Sequence, residues 1–337
     1  MIDGDIKRII GKATDGGRIG KSELVALLSC NDTSEEAFAI RAAGGYLMRQ
    51  RTQNAGVVFG QIGIEMHPCE ANCSFCSFAA DFTQMSATRL DDEAIAESTR
   101  NFTGSGDLYG LWLMAMATYD LEAYLDAVRV AKANLGGPTN IYSNVGDTSR
   151  EDFEAMKAAG IDGVYHCWRL REGTDTPFSD ETRKQTLVNA KEAGLDVLDA
   201  VEPIGPEHEP HELAEHILFD VEMECIQTGS MKRIPVPGTP FEGTPMITDL
   251  RLATIVAAQA LAVANLDRVP WLGIHEPSPI GYASGANLIT AETGFNPRDT
   301  AEDTSANRGL DIPACREILR QAGFSALVRG DGSRVDL

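Results

Sequence analysis

Cys69, Cys73 and Cys76 stand in the run MHPCEANCSFCSFA, a C-x3-C-x2-C spacing with Phe75 directly before the third cysteine. Thiolate sulfur is the soft ligand that zinc and iron–sulfur centres use. A structural zinc takes four ligands in a tetrahedron, so three cysteines leave it one short. A [4Fe–4S] cube held by three cysteines keeps one iron open to a further ligand. The spacing therefore points to a cluster that does chemistry. Two other readings stay open from the residues alone: a zinc site completed by His67 or Cys225, or cysteines that serve as small buried hydrophobes.

A reactive loop must be held by the elements around it. This one follows GVVFGQIGIEM (56–66), an apolar, β-branched run that reads as a strand, and precedes a helical pattern from Asp91. Strand-like runs recur at 107–116, 139–145, 162–168, 195–204, 224–236, 269–275 and 286–290. Between them lie helical patterns such as DLEAYLDAVRVAKANL, REDFEAMKAAG, TRKQTLVNAKEAG and TDLRLATIVAAQALAVAN. Eight strand–helix repeats predict an α/β fold, a parallel (βα)8 TIM-type barrel. Residues 1–50 read as an N-terminal helical extension, 51–325 as the barrel and 326–337 as a C-terminal tail.

Composition narrows the function classes. The chain has 337 residues, of which 43% are hydrophobic, so a large core is available. A net charge of −21 disfavours a surface that tracks nucleic-acid phosphates. No run approaches the ~18 apolar residues of a membrane span, and MIDGDIKRIIGK lacks a signal-peptide stretch. Seven cysteines, an odd number with three clustered, argue against a disulfide scaffold and for a reducing, cytoplasmic compartment.

At Cys69, Cys73, Phe75 and Cys76 the chain resembles the radical S-adenosylmethionine (SAM) superfamily, whose signature is C-x3-C-x-aromatic-C after the first barrel strand. The order of later elements, from about residue 50 to 325, is similar to the branch that holds biotin synthase, the related [FeFe]-hydrogenase maturase and methylornithine synthase. The resemblance implies a [4Fe–4S] cluster on the three cysteines, with SAM on the open iron and Phe75 near the adenine. It also implies cleavage of SAM to a 5′-deoxyadenosyl radical that takes hydrogen from a small molecule. A low-potential electron donor of flavodoxin or ferredoxin type goes with it.

Active groups in such barrels sit at strand C-terminal ends, and that rule sorts the other candidates. The resemblance makes Ala115 and Met116, after the second strand, SAM contacts, although the acidic residue common in the family's turn there is missing. Ser143 and Asn144 end the third strand and can hydrogen-bond SAM or substrate. After the fourth, Arg169, Arg171 and Glu172 match the family's SAM-contacting charges, and a guanidinium suits a carboxylate because its planar fork donates two parallel bonds. Ile204, after the fifth, resembles the family's adenine contact, and Glu202 is a candidate for a substrate ammonium. Lys232 and Arg233, at the sixth strand end, could hold a substrate or SAM carboxylate, and His275 and Glu276, at the seventh, are further substrate-binding candidates. His208, His211 and His216 invite a metal reading, but HEPHELAEH also reads as a helix opening.

The expected reaction is rearrangement of an amino-acid skeleton or synthesis of a metallocofactor ligand. The positions that give biotin synthase its auxiliary-cluster cysteines hold Met114 to Met116, Ser143 and Leu198 to Asp199 here. Sulfur insertion would need an unusual second cluster drawn from Cys30, Cys167, Cys225 or Cys315. A non-catalytic metal-binding protein is the reading from a different class.

Overall fold

The computed structural model describes residues 1–300 and 303–337. Eight strands run parallel around a closed barrel: β1 (Ala55–Gly63), β2 (Leu108–Met114), β3 (Asn140–Asn144), β4 (Gly163–Tyr165), β5 (Asp196–Leu198), β6 (Gln227–Lys232), β7 (Trp271–His275) and β8 (Leu288–Gly294). Each pairs with the next, and β8 returns to β1. The run expected as one strand at 195–204 is broken: the ladder leaves β5 at Asp199, and Val201–Ile204 pairs separately with β6.

Helices fill the crossovers: α4 (Asp92–Thr103), α5 (Leu121–Ala133), α6 (Arg150–Ala159), α7 (Asp180–Glu192), α8 (Pro210–Glu222), α9 (Asp249–Val263), α10 (Pro279–Ala283) and α11 (Ile312–Gln321). Asp91, Asp120, Ser149, Ser179, Thr248 and Asp311 each accept a first-turn backbone N–H, which is why these helices start where they do. Before the barrel come α1 (Gly4–Thr14), α2 (Lys21–Leu28) and α3 (Glu35–Arg51). They explain α9, whose residues Leu252 to Val263 are all buried and which is apolar on every side. One face of α9 covers the barrel and α3 covers another.

Gly44 and Gly45 allow that packing. A Cβ on Gly44 would lie 2.9 Å from Ala257 Cα, and one on Gly45 would lie 2.0 Å from the Ala283 carbonyl oxygen. On an exposed helix Gly→Ala gains about 1 kcal/mol. Here the backbone contact outweighs that gain, so Gly45→Ala should destabilise by roughly 1–3 kcal/mol. The check is a lower urea midpoint with an unchanged m-value.

Alternation along the strands separates two cores. Val57, Phe59, Trp112, Tyr142, Leu198, Ile226 and Leu288 fill the barrel floor, while Val58 and Ile62 face the helices. Phe59 stacks on Trp112 with ring centroids 4.5 Å apart. Residues 326–337 fold back as a hairpin in which Ala326–Val328 pairs with Arg334–Asp336 and joins the lower end of β1. Val328 packs against the floor cluster and closes the barrel from below.

The ladder is uneven around the ring. β1 and β8 share seven registered pairs, from Val57 with Leu288 to Gly63 with Gly294. β5 meets β6 at the single pair Leu198–Gln227, and β7 meets β8 at the single pair Gly273–Leu288. Among the described residues, no helix is long and apolar enough to cross a membrane.

Candidate functional site

The chain leaves β1 at Gly63, and the cysteine loop that follows is fixed by its own backbone. Cys69 N donates to the Phe78 carbonyl at 2.7 Å, and Ala80 N returns to the Cys69 carbonyl at 3.0 Å. Asn72 takes a left-handed turn (φ 49°) and locks to Asp81 through both its amide groups. Neighbouring loops hold the outside: Ser74 N donates to the Asp175 carbonyl, and Ser77 N to that of Pro297, each at 2.9 Å.

Cys69, Cys73 and Cys76 all line one cavity at the C-terminal end of the barrel, which encloses about 1520 Å³ including its open mouth. Do the three thiols fit a cluster or a single ion? Sulfurs on a tetrahedral zinc lie about 3.8 Å apart, given Zn–S bonds of ~2.3 Å. Among the described residues, the one set of metal-competent groups gathered within 4.8 Å is Asp175, Glu207 and His208. The loop cysteines are spread more widely, which suits a multi-iron cluster. Neither proposed fourth zinc ligand is available: Cys225 lies below β6 in the outer core, and His67 is turned to the Pro68 and Thr118 carbonyls. Phe78 N points at Cys76 Sγ at 3.4 Å, a contact of the kind that tunes a cluster's potential.

Burial pushes the Cys73 thiol up to about 11, with Arg169 opposing, and Cys76 up to about 12. The bare thiols are therefore protonated near neutrality, and iron must displace those protons. Loading should release at least about two protons, from Cys73 and Cys76, and tighten as pH rises from 7 toward 9. Calorimetry in two buffers of different ionisation enthalpy reads the proton count. The sign for the cluster-free protein is the reverse: its stability should fall as pH climbs from the ordinary thiol range toward about 12.

Opposite the cysteines the wall is charged. Among the described residues, Arg169, Arg183, Lys232, Arg233 and Arg298 line the cavity against two carboxylates, Glu202 and Glu292. The acids that balance Arg183, Lys232 and Arg233 (Asp147 and Glu172, Asp249, and Glu207) stand behind them, outside the lining. A chain of net charge −21 thus presents a cationic interior, suited to anionic ligands. Glu202 takes the Tyr165 hydroxyl at 3.0 Å and Arg169 Nε at 3.3 Å. Burial, then Arg298 and Arg308, push His275 well down, so its neutral ring accepts at Nδ1 from Arg298 at 2.9 Å.

The other sequence candidates divide. Phe75, Ala115, Met116, Asn144, Arg169, Glu202, Lys232, Arg233 and His275 line the cavity with the cysteines. Ser143 does not, because strand alternation turns it outward toward Tyr124 on α5. Arg171 points away to Glu212 and the Glu207 carbonyl. Glu172 lies behind the wall, 3.2 Å from Arg183 Nε and bonded to Thr176. Ile204 packs in the outer core, and Glu276 sits beyond the lining, paired with Arg298 and Arg308.

The three histidines form no common site. His211 is exposed, His216 stacks on Trp168 at 3.7 Å, and His208 Nδ1 accepts from Gly205 N. Glu207 beside His208 is already paired with Arg233, which makes that acidic group a poor place for a cation. Sequence reading missed Gln61, Trp112, Arg183, Gln227, Glu292 and Arg298 as lining residues. Glu292 and Arg298 were within reach, since β8 ends at Gly294 and not near Thr290 as its pattern suggested.

No protein-family model matches the chain. Among curated proteins it is similar to biotin synthases. It is 22% identical over 269 residues to that of Persephonella marina, covering 75% of this chain and 76% of the other. It is 24% identical over 209 residues to that of Thermotoga neapolitana, covering 59% and 74%. Among solved structures it superposes on HydG, a maturase of the [FeFe]-hydrogenase, with a TM-score of 0.80 at 16% identity, covering 97% of this chain and 77% of that one. It matches methylornithine synthase (PylB) with a TM-score of 0.75 at 18% identity, covering 93% and 95%.

Proposed function

We propose that this chain, a radical SAM protein of the biotin synthase-like kind, acts on a small polar molecule that carries a carboxylate. The observation that carries the reading is one cavity with three loop cysteines on one side and an excess of cationic side chains on the other. A [4Fe–4S] cluster and SAM, when bound there, would supply a 5′-deoxyadenosyl radical able to abstract hydrogen.

The chain's own residues hold and orient. Cys69, Cys73 and Cys76 ligate the irons. Phe75, Ala115, Met116 and Asn144 bound the space beside them, where the nucleoside of SAM fits. Arg169 faces Cys73 and is steadied by Glu202, so its guanidinium suits the SAM carboxylate. Lys232, Arg233, His275 and Arg298 lie further round the ring and suit the substrate's carboxylate. The electron comes from a low-potential donor of flavodoxin or ferredoxin type. The outcome is rearrangement of an amino-acid skeleton or assembly of a metallocofactor ligand. Sulfur insertion is disfavoured, because Cys167 is the one further cysteine among the described residues that lines the cavity.

Anaerobic reconstitution tests the proposal. About four irons and four sulfides per chain should bind, and SAM should yield 5′-deoxyadenosine only with reductant present. Stoichiometric zinc with intact SAM would overturn it.

A further inference from the structure

We propose that Cys167 is a hydrogen-atom donor, returning a hydrogen atom to a carbon-centred radical in the cavity; this rests on the radical SAM reading above. Cys167 follows the strand end at Tyr165 by two residues, and both line the cavity. His166 between them also borders it, with its ring held by Asp147 and Arg183. The thiol is buried, at 2% exposure, and interacts with the Asp199 carboxyl and the Tyr165 hydroxyl.

A second observation marks this part of the wall as a ligand surface. Trp112 Nε1 and Gln227 Oε1 have no hydrogen-bond partner, although their residues are 5% and 3% exposed and line the same cavity. A buried donor and a buried acceptor left open at one wall are costly unless a ligand completes them.

The chemistry of the position suits the role. An S–H bond, like a phenolic O–H, is weaker than an unactivated C–H bond, so transfer to such a carbon radical is downhill. Only the protonated form can give a hydrogen atom. Burial, then Glu202 and Asp199, keep Cys167 a thiol. Burial, then Asp220, push the Asp199 carboxyl well above the usual carboxylate range. Asp220 is in turn bonded to Thr228 and within reach of Gln259.

The steps balance. The carbon radical takes hydrogen from Cys167, forming C–H, breaking S–H and leaving a thiyl radical. One electron from the low-potential iron–sulfur or flavin donor reduces the thiyl to thiolate. The thiolate takes up a proton by way of Asp199, and the net proton comes from solvent. Net, the substrate radical gains one electron and one proton, so SAM is consumed in each turnover.

The test needs no knowledge of the substrate. The thiol exchanges with solvent, and the 5′-deoxyadenosyl radical is itself a carbon radical. In D2O with SAM, reductant and no substrate, the wild type should give 5′-deoxyadenosine carrying deuterium at the 5′ carbon. Cys167→Ala and Cys167→Ser should give it unlabelled, the serine because its O–H bond is too strong to yield hydrogen. Cys225→Ala, altered outside the cavity, should keep the label. Unlabelled product from wild type, or label that persists in both Cys167 variants, overturns the inference and leaves the SAM-cleaving function standing. No 5′-deoxyadenosine at all brings down both. Independently of turnover, the infrared S–H band of cluster-free protein that disappears in Cys167→Ala should shift in Asp199→Asn; an unmoved band would exclude the thiol–acid contact.

Discussion

Replacing Cys69, Cys73 or Cys76 singly by alanine should leave a folded protein that neither holds its cluster nor cleaves SAM. Loss of a mere supporting contact around a metal costs 10–100-fold, so loss of a ligand should lower 5′-deoxyadenosine formation by more than about 100-fold. The fold should survive, because without metal Cys73 and Cys76 are protonated thiols that behave as small hydrophobes. Their loop is held by backbone bonds from Cys69 to Phe78 and Ala80 and from Ser77 to Pro297, which alanine keeps. Iron content, the cluster's visible absorption and the urea midpoint of cluster-free protein separate the two effects. A variant that retains a full cluster would show that its cysteine is not a ligand.

The second large effect lies across the cavity. Arg169→Met should destabilise the cluster-free protein by roughly 3–5 kcal/mol, the cost of leaving a buried charge without its partner. The orphan would be Glu202, 4% exposed and held otherwise by the Tyr165 hydroxyl. Glu202→Gln added to Arg169→Met should recover most of the loss, because it removes the stranded charge. SAM affinity should fall in both variants, since both lack the guanidinium. Equal stability of the single and double variants would mean that Arg169 and Glu202 do not act as a pair. SAM binding at wild-type strength would reject the carboxylate role of Arg169.

Much of the architecture was legible because it rests on local signals. Alternation of apolar strands with capped helices gave the barrel, and the cysteine spacing gave the loop. What escaped depends on register and on distance. Ser143 and Tyr142 look equally suitable at a strand end, and only the phase of the pleat turns Tyr142 inward and Ser143 out. Arg183 reads as a surface residue of a helical first turn. Its burial comes from Glu172 and Asp147, eleven and thirty-six positions away, and from Phe178, over whose ring it sits at 3.7 Å. Trp112 and Gln227 carry no chemical motif, and their open polar atoms exist only once the strands have closed.

The uneven ladder around the ring has a mechanical consequence. The β7–β8 junction rests on one registered pair, whereas the β5–β6 seam is reinforced by Val201–Ile204, which pairs with β6 at Ser230 and Lys232. The cysteine loop follows β1, which shares seven registered pairs with β8, while His275 ends β7 beside the thin junction. Local opening should therefore begin between β7 and β8 and spare the β1–β8 side that holds the cysteine loop.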